Sequence, residues 1–144
     1  DEDTSGMIIL TNNGHLNHKI AQPDSNIKKT YEVELEKSVS DNEIKKLESG
    51  IIIDMEVNGE HFDYFTKPSK IKKISDNKLH ITITEGKKRE VRKMFESLQN
   101  KVLTLKRISI GNLQLIDLNI KEGEFVFIDE DLIGEKILNK KKVN

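Results

Sequence analysis

Residues 78–98 have the sequence KLHITITEGKKREVRKMFESL, and this stretch decides the fold. In its first part apolar and polar residues alternate, which predicts a strand with one buried face. From about residue 87 to residue 99 the apolar residues instead recur at i, i+3, i+4 and i+7, which predicts an amphipathic helix. The strand positions are Leu79, Ile81 and Ile83, and the helical stripe is Val91, Met94, Phe95 and Leu98. The chain therefore passes from a strand through a Glu85-Gly86 turn into a helix.

The same two periods predict the other elements. Alternation over residues 29–35, with Tyr31 on the apolar face, predicts a strand. Ser40 and Glu43 have the spacing of a capping box, so 41–49 is predicted to be a helix. The remaining patterns predict strands at 7–11, from 51, at 61–66, 70–75 and 102–110, extended chain at 113–118 and 125–128, a hairpin turn at 58–59, and helices at 14–21 and 129–138. This order favours an α+β fold with a mixed, largely antiparallel sheet and flanking helices.

Length and composition exclude several classes of protein. The 144 residues have room for one domain, which we place at 1–138, with a basic tail at 139–144. The absence of cysteine excludes disulfides and thiolate chemistry. No run approaches the ~18 apolar residues of a membrane span. The four histidines form no metal-binding motif, and no Gly-x-Ser-x-Gly hydrolase motif is present. We expect a cytoplasmic monomer.

Positive charge is concentrated in one part of the chain. Residues 67–107 hold 13 Lys and Arg against four acids, a net of +9, whereas the rest has a net of −10. Such a segment suits a nucleic-acid groove, although a solvated lysine-rich face would have the same composition. Only three of the 24 basic residues are arginine, the residue whose planar fork pairs with carboxylate or phosphate through two bonds. They are Arg89, Arg92 and Arg107.

The start of the predicted helix at residue 87 is the place to look for chemistry. Lys87, Lys88 and Arg89 oppose the helix dipole there, which suggests that an anion such as phosphate compensates them. Arg92 lies between the buried and polar faces, so it could extend to solvent, pair with Glu96, or reach a distant carboxylate in a cleft.

Three motifs resemble those of the ribosomal pseudouridine synthases of the Rsu type. The first is Asp1-Glu2-Asp3-Thr4-Ser5-Gly6, an acidic loop before an apolar run, which is similar to the family's Asp-x-Asp-Thr-x-Gly. The second, Lys29-Thr30-Tyr31-Glu32-Val33, resembles Lys-x-Tyr-x-Val. The third, residues 85–94, resembles Glu-Gly-x-x-Arg-Gln-Val-Arg-Arg-Met. The similarity runs in order from residue 1 to about residue 128.

The resemblance implies a pseudouridine-synthase-like fold and the isomerisation of a specific uridine to pseudouridine in ribosomal RNA. It implies that Asp1 is the catalytic nucleophile, that Arg92 pairs with it, and that Tyr31 stacks on the target uracil. It implies no metal or organic cofactor. The remaining cations are expected to contact RNA phosphates: Lys87, Lys88, Arg89 and Arg107.

The chain also departs from the family pattern. Glu90 stands at the Gln of the third motif, and Gly123-Glu124-Phe125-Val126 stands where the family has Gly-x-Trp-Arg. The Gly-Arg-Leu that precedes the aspartate and the S4-like RNA-binding domain common in the family are not in this sequence. We therefore expect a fragment that lacks an N-terminal strand and has weak or no activity by itself.

Three functions compete. They are an rRNA uridine isomerase, a non-catalytic RNA-binding module that keeps the fold, and a plain α+β domain with a solvated basic face. For the first we expect the Asp1 carboxylate to lie within ion-pair distance of Arg92, with the Tyr31 ring in the same cleft.

Overall fold

A six-stranded mixed sheet forms the centre of the computed structural model, which describes residues 1–140. The strands of the protein are β1 (Ser5–Gly6), β2 (Lys29–Leu35), β3 (Ile52–Val57), β4 (Glu60–Phe65), β5 (Lys70–Lys73), β6 (Lys78–Ile83), β7 (Val102–Ile110) and β8 (Leu113–Gln114). The sheet has the spatial order β1, β7, β2, β6, β5, with β8 also paired to β7, while β3 and β4 form a separate hairpin. All pairs are antiparallel except β1 with β7. The predicted α+β class with a largely antiparallel sheet is confirmed.

Five helices connect the strands: α1 (Gly14–Ala21), α2 (Asp41–Ser49), α3 (Glu90–Glu96), α4 (Leu115–Leu118) and α5 (Glu130–Lys136). The predicted capping box begins α2, where the Ser40 hydroxyl accepts from the Glu43 N–H and the Glu43 carboxylate accepts from the Ser40 N–H. The predicted hairpin turn is also present. Asn58 and Gly59 both have positive φ, which the turn between β3 and β4 needs.

Two apolar clusters hold these elements together. The larger one lies between the sheet, α2, α3 and the β3–β4 hairpin, and its largest fully buried side chain is Phe95. The alternating strand positions and the helical stripe predicted from residues 78–98 all pack in or against this cluster. The smaller cluster joins the chain after β1 to α1, β8 and α5. Residues 78–98 therefore decide the main core, as their periodicity indicated.

Some predicted elements differ from those observed. The strand predicted at 7–11 is β1 at Ser5–Gly6, and pairing ends after Met7 because the following positions of β7 pair with β8. The extended chain predicted at 113–118 contains α4, whose Leu115 and Leu118 have an i, i+3 spacing that suits a helix equally well. No regular element covers residues 125–128.

The predicted helix at 87–99 is shortened at both ends to α3. Its start is set by Arg89, which is left-handed at φ 55°. Lys87 and Lys88 therefore lie in a turn before the helix, so the expectation that they oppose its dipole in the first helical turn is wrong. Of the predicted basic tail, residues 141–144 lie outside the described part of the chain. Within residues 1–140, no helix has the length and apolar character needed to cross a membrane.

Candidate active site

The acidic loop at residues 1–4 is attached to the edge of the sheet by β1. Ser5 and Gly6 lie beside Lys106 and Arg107 of β7, and the Met7 N–H donates to the Arg107 carbonyl at 2.9 Å. The loop closes on itself through a 3.2 Å hydrogen bond from the Thr4 N–H to the Asp1 carbonyl. The short strand therefore places the acidic loop beside β7, with Asp3 at the start of α3.

Gly6 makes this attachment possible. Its φ is +100°, and a Cβ at this position would overlap the Arg107 carbonyl oxygen of the neighbouring strand. We expect Gly6→Ala to cost ~1–3 kcal/mol in strain and to loosen β1 from β7. The measurement is amide hydrogen exchange at Met7, which should become at least ~10-fold faster. Gly14→Ala is the matched control, since no atom lies within 4 Å of its added Cβ. Unchanged exchange at Met7 in the Gly6 variant would contradict the prediction.

Two arginines of the third motif hold the acidic loop through Asp3. The Arg89 guanidinium makes a two-bond fork with the Asp3 carboxylate, and both N···O distances are 3.0 Å. Arg92 donates from Nη2 to the Asp3 carbonyl at 2.7 Å. Its Nε lies 3.3 Å from Asp3 Oδ2, which is ion-pair distance without a well-directed hydrogen bond. The two guanidinium groups thus bind both the side chain and the main chain of one residue.

The ion pair expected between Asp1 and Arg92 is wrong, because Asp3 occupies that position. Asp1 is exposed and makes no ion pair within residues 1–140. Arg92 does turn into the cleft instead of pairing with Glu96, and its side chain is only 9% exposed. One feature of the sequence indicated a shared partner for two arginines. Arg89 and Arg92 are three residues apart, so both side chains can reach the same group from one side of the chain.

Arg89 and Arg92 form a clamp around Asp3. The charges of this clamp favour the ionised form of the Asp3 carboxyl group. The hydrogen bonds from Arg89 hold the pKa of the Asp3 carboxyl below its ordinary value, and the charge of Arg92 adds to this effect. The same pairing raises the pKa of Arg89. Because both groups stay charged at neutral pH, they form an ion pair at the start of α3 under these conditions.

Tyr31 and Arg107 lie side by side across the sheet. Tyr31 of β2 is paired with Arg107 of β7 on one side and with Ile81 of β6 on the other. Arg107 is in turn the neighbour of Gly6 in β1, so one row across the sheet joins the tyrosine to the acidic loop. Tyr31 is half-buried against the main core, and a shift in strand register occurs just before it. An aromatic ring therefore stands on the strand next to the one that holds the loop.

The four cations expected to contact RNA are placed differently from one another. Lys87 and Lys88 are exposed, and the Lys87 ammonium lies over the Tyr64 ring at 5.0 Å from its centroid. Arg89 is engaged by Asp3, and the Arg107 Nε–H donates to the Met7 carbonyl at 2.8 Å. Lys88 is therefore open to solvent and Lys87 is exposed above the Tyr64 ring, whereas the two arginines also organise the loop.

A group of acids beside the clamp was not predicted from the sequence. Glu85 accepts hydrogen bonds from the Tyr64 hydroxyl and, at 2.9 Å, from the Lys67 N–H. Glu90 is 3% exposed and borders the same turn. Lys29 is half-buried nearby, and burial together with the charge of Arg107 lowers its pKa. The Gln-to-Glu departure at residue 90 was the visible signal.

Within residues 1–140, no group of three or more His, Cys, Asp or Glu could hold a metal ion.

The site combines an aspartate loop held by two arginines, a neighbouring strand that carries Tyr31, and exposed lysines. Together these features define a candidate RNA-modifying site. The model of the RNA pseudouridylate synthase family matches residues 1–97. The chain belongs to this family, so the resemblance drawn from its three motifs is confirmed.

Relatives and a solved structure agree with this membership. The uncharacterized RNA pseudouridine synthase YtzG of Bacillus subtilis (strain 168) is 37% identical over 135 residues, which are 91% of this chain and 53% of that protein. The ribosomal small subunit pseudouridine synthase A of Haemophilus influenzae is 36% identical over 125 residues, 87% of this chain and 51% of that protein. A crystal structure of a pseudouridylate synthase is similar with a TM-score of 0.82 at 36% identity, over 94% of this chain and 56% of that one. The chain spans about half the length of these relatives.

Proposed function

We propose that the protein isomerises a specific uridine of ribosomal RNA to pseudouridine, with residues 1–138 as its catalytic domain. The observation that carries the proposal is the acidic loop clamped by Arg89 and Arg92 at the edge of the sheet, in a chain of this family. Relatives named for ribosomal small subunit modification support rRNA as the substrate. We extend the proposal to a cytoplasmic monomer.

In the proposed mechanism Asp1 is the nucleophile. The Asp1 carboxylate attacks C1′ as the N1–C1′ bond of uridine breaks, and the detached base rotates. A C5–C1′ bond then forms as the bond between Asp1 and C1′ breaks, while one proton leaves C5 and one is gained at N1. The reaction is therefore balanced without a co-reactant, and no metal or organic cofactor is part of the proposal. Asp1 is exposed and makes no ion pair within residues 1–140, so its carboxylate is available for attack. Asp3 is the less suitable nucleophile because two guanidinium groups engage its oxygens.

The other residues take roles that follow from their positions. Arg89 and Arg92 position the loop through Asp3, so Arg92 acts on Asp1 through the loop and not by direct pairing. Tyr31 supplies the aromatic surface on which a flipped uracil can stack. Lys87 and Lys88 contact phosphates, and Arg107 adds positive charge beside Tyr31 while it holds Met7.

The function is tested by mapping pseudouridines in rRNA from a strain that lacks the gene. We expect one uridine position to lose its pseudouridine and to regain it when the wild-type gene is returned. An unchanged map would contradict the isomerase. If the purified protein still bound rRNA in that case, the alternative of a non-catalytic RNA-binding module would hold.

A further inference from the structure

The turn between β6 and α3 contains a buried acid that has no ordinary partner. Neither carboxyl oxygen of Glu90 accepts a hydrogen bond from an N–H or O–H within residues 1–140, although the residue is 3% exposed. A buried carboxylate without donors is costly, so an unpartnered one at this depth needs an explanation.

The neighbour of Glu90 is a second acid, Glu85. Both residues are buried beside the turn that precedes α3, and a side-chain hydrogen bond with Glu85 together with its charge raises the pKa of the Glu90 carboxyl. Glu85 already accepts from the Tyr64 hydroxyl at Oε2 and from the Lys67 N–H at Oε1. Those donors suit an ionised Glu85, and a carboxyl contact with Glu90 is a hydrogen bond only if Glu90 carries the proton.

We propose that Glu85 and Glu90 share one proton and act as a single positioning unit that holds the turn from which Arg89 and Arg92 reach the acidic loop. Protonated Glu90 donates to Glu85 as a glutamine amide would, which accounts for a Glu at the Gln position of the motif. The turn in question includes the 3.1 Å hydrogen bond from the Glu90 N–H to the Lys87 carbonyl. Glu90 is thus a positioning residue and touches no substrate.

The surrounding charges are consistent with this assignment. Burial first, and then the contact with Glu85, raise the pKa of Glu90 to about 9. Burial alone would raise the pKa of Glu85, but the hydrogen bonds from Glu90, Tyr64 and the Lys67 N–H lower it overall. Besides Tyr64 of β4, the groups that face the pair are the side chains of Lys67 and Lys87, Lys29 of β2 and, beyond Lys29, Arg107 of β7.

The sign of the pH dependence follows from proton binding. In the unfolded chain Glu90 ionises near 4.5, whereas in the folded protein it keeps its proton until about pH 9. The folded state therefore binds the extra proton in that window, and its stability falls as the pH rises. Glu85 has the opposite shift and loses stability only below its ordinary pKa. Lys29, whose pKa burial lowers, is present in the wild type and in every variant compared.

The test is urea unfolding of the 144-residue chain with Glu90→Gln, from about pH 5 to about pH 8. We expect the unfolding midpoint of the variant to exceed that of the wild type by a margin that grows with pH. Glu96→Gln is the matched control, since Glu96 is exposed on the same helix and should show no growing margin. Parallel curves for the wild type and Glu90→Gln would overturn the proposal.

Infrared spectroscopy in D2O detects the protonated carboxyl group of Glu90 directly. It needs no activity assay, and the wild-type spectrum alone can contradict the proposal. The wild type should show the C=O band of a protonated carboxylic acid at neutral pH, and Glu90→Gln should lose it. In Glu85→Gln the band should titrate at lower pH, because the neighbouring negative charge is gone. A wild-type spectrum without the band at neutral pH would also overturn the proposal. These readouts are independent of the proposed isomerase, so the two ideas can fail separately.

Discussion

Asp1→Asn in the full-length protein is expected to lower the rate of pseudouridine formation by at least ~10³-fold, since loss of a nucleophile removes the covalent route altogether. Asn keeps the size and polarity of the side chain but cannot attack as a carboxylate. The measurement is single-turnover conversion of an rRNA substrate by saturating enzyme, which separates chemistry from binding. RNA affinity should stay within about threefold of wild type, because the loop remains clamped by Asp3.

Two variants of the same loop serve as controls. Glu2→Gln removes an exposed charge between the two aspartates and should leave the rate unchanged. Asp3→Asn loses the fork with Arg89 and should misplace the loop, at a cost of roughly 10²-fold in rate. If Asp3→Asn were instead the variant without activity and Asp1→Asn remained active, Asp3 would be the nucleophile and our assignment of Asp1 would be wrong.

Phe95→Ala is expected to have the largest effect on stability, with a loss of ~3–5 kcal/mol in the free energy of unfolding. The Phe95 side chain is fully buried in the main core and lies on α3. Since small domains are stable by only ~5–15 kcal/mol, this one change removes a large part of the total. Urea unfolding followed by circular dichroism measures the loss.

Phe127→Ala is the matched control for Phe95→Ala. Phe127 is 91% exposed, so its removal should change the free energy of unfolding by no more than about 0.5 kcal/mol. A loss of less than ~1 kcal/mol in Phe95→Ala would show that the core relaxes around the missing ring, contrary to the packing described here.

The elements that periodicity predicted well are those whose residues lie close together in the sequence. The stripe of α3, the capping box of α2 and the hairpin at Asn58-Gly59 depend on spacings of a few residues. The start of α3 was missed because its position depends on the left-handed backbone of Arg89, a residue with no intrinsic preference for that conformation. In the folded protein the Arg89 side chain pairs with Asp3, which lies far away in the sequence.

The candidate site was predicted in its residue types more accurately than in its pairs. The motifs selected the acidic loop, Tyr31 and the three arginines. They implied Asp1 as the partner of Arg92, where the structure has Asp3, because the pairing depends on how residues 1–4 turn before β1. The burial of both Glu85 and Glu90 beside one turn was missed for a similar reason, since it depends on how the chain folds between β6 and α3.

The attachment of β1 has a consequence for motion. Only two residues of β1 pair with β7, and the contacts of Asp3 with Arg89 and Arg92 supply much of the remaining connection. Neither involves the fully buried core, so the loop can open without the rest of the domain unfolding. The acidic loop, which would carry the reacting carboxylate, therefore opens and closes independently of the rest of the domain. Added salt screens exposed ion pairs, so it should increase the fraction of time that the loop is open while the core stays folded.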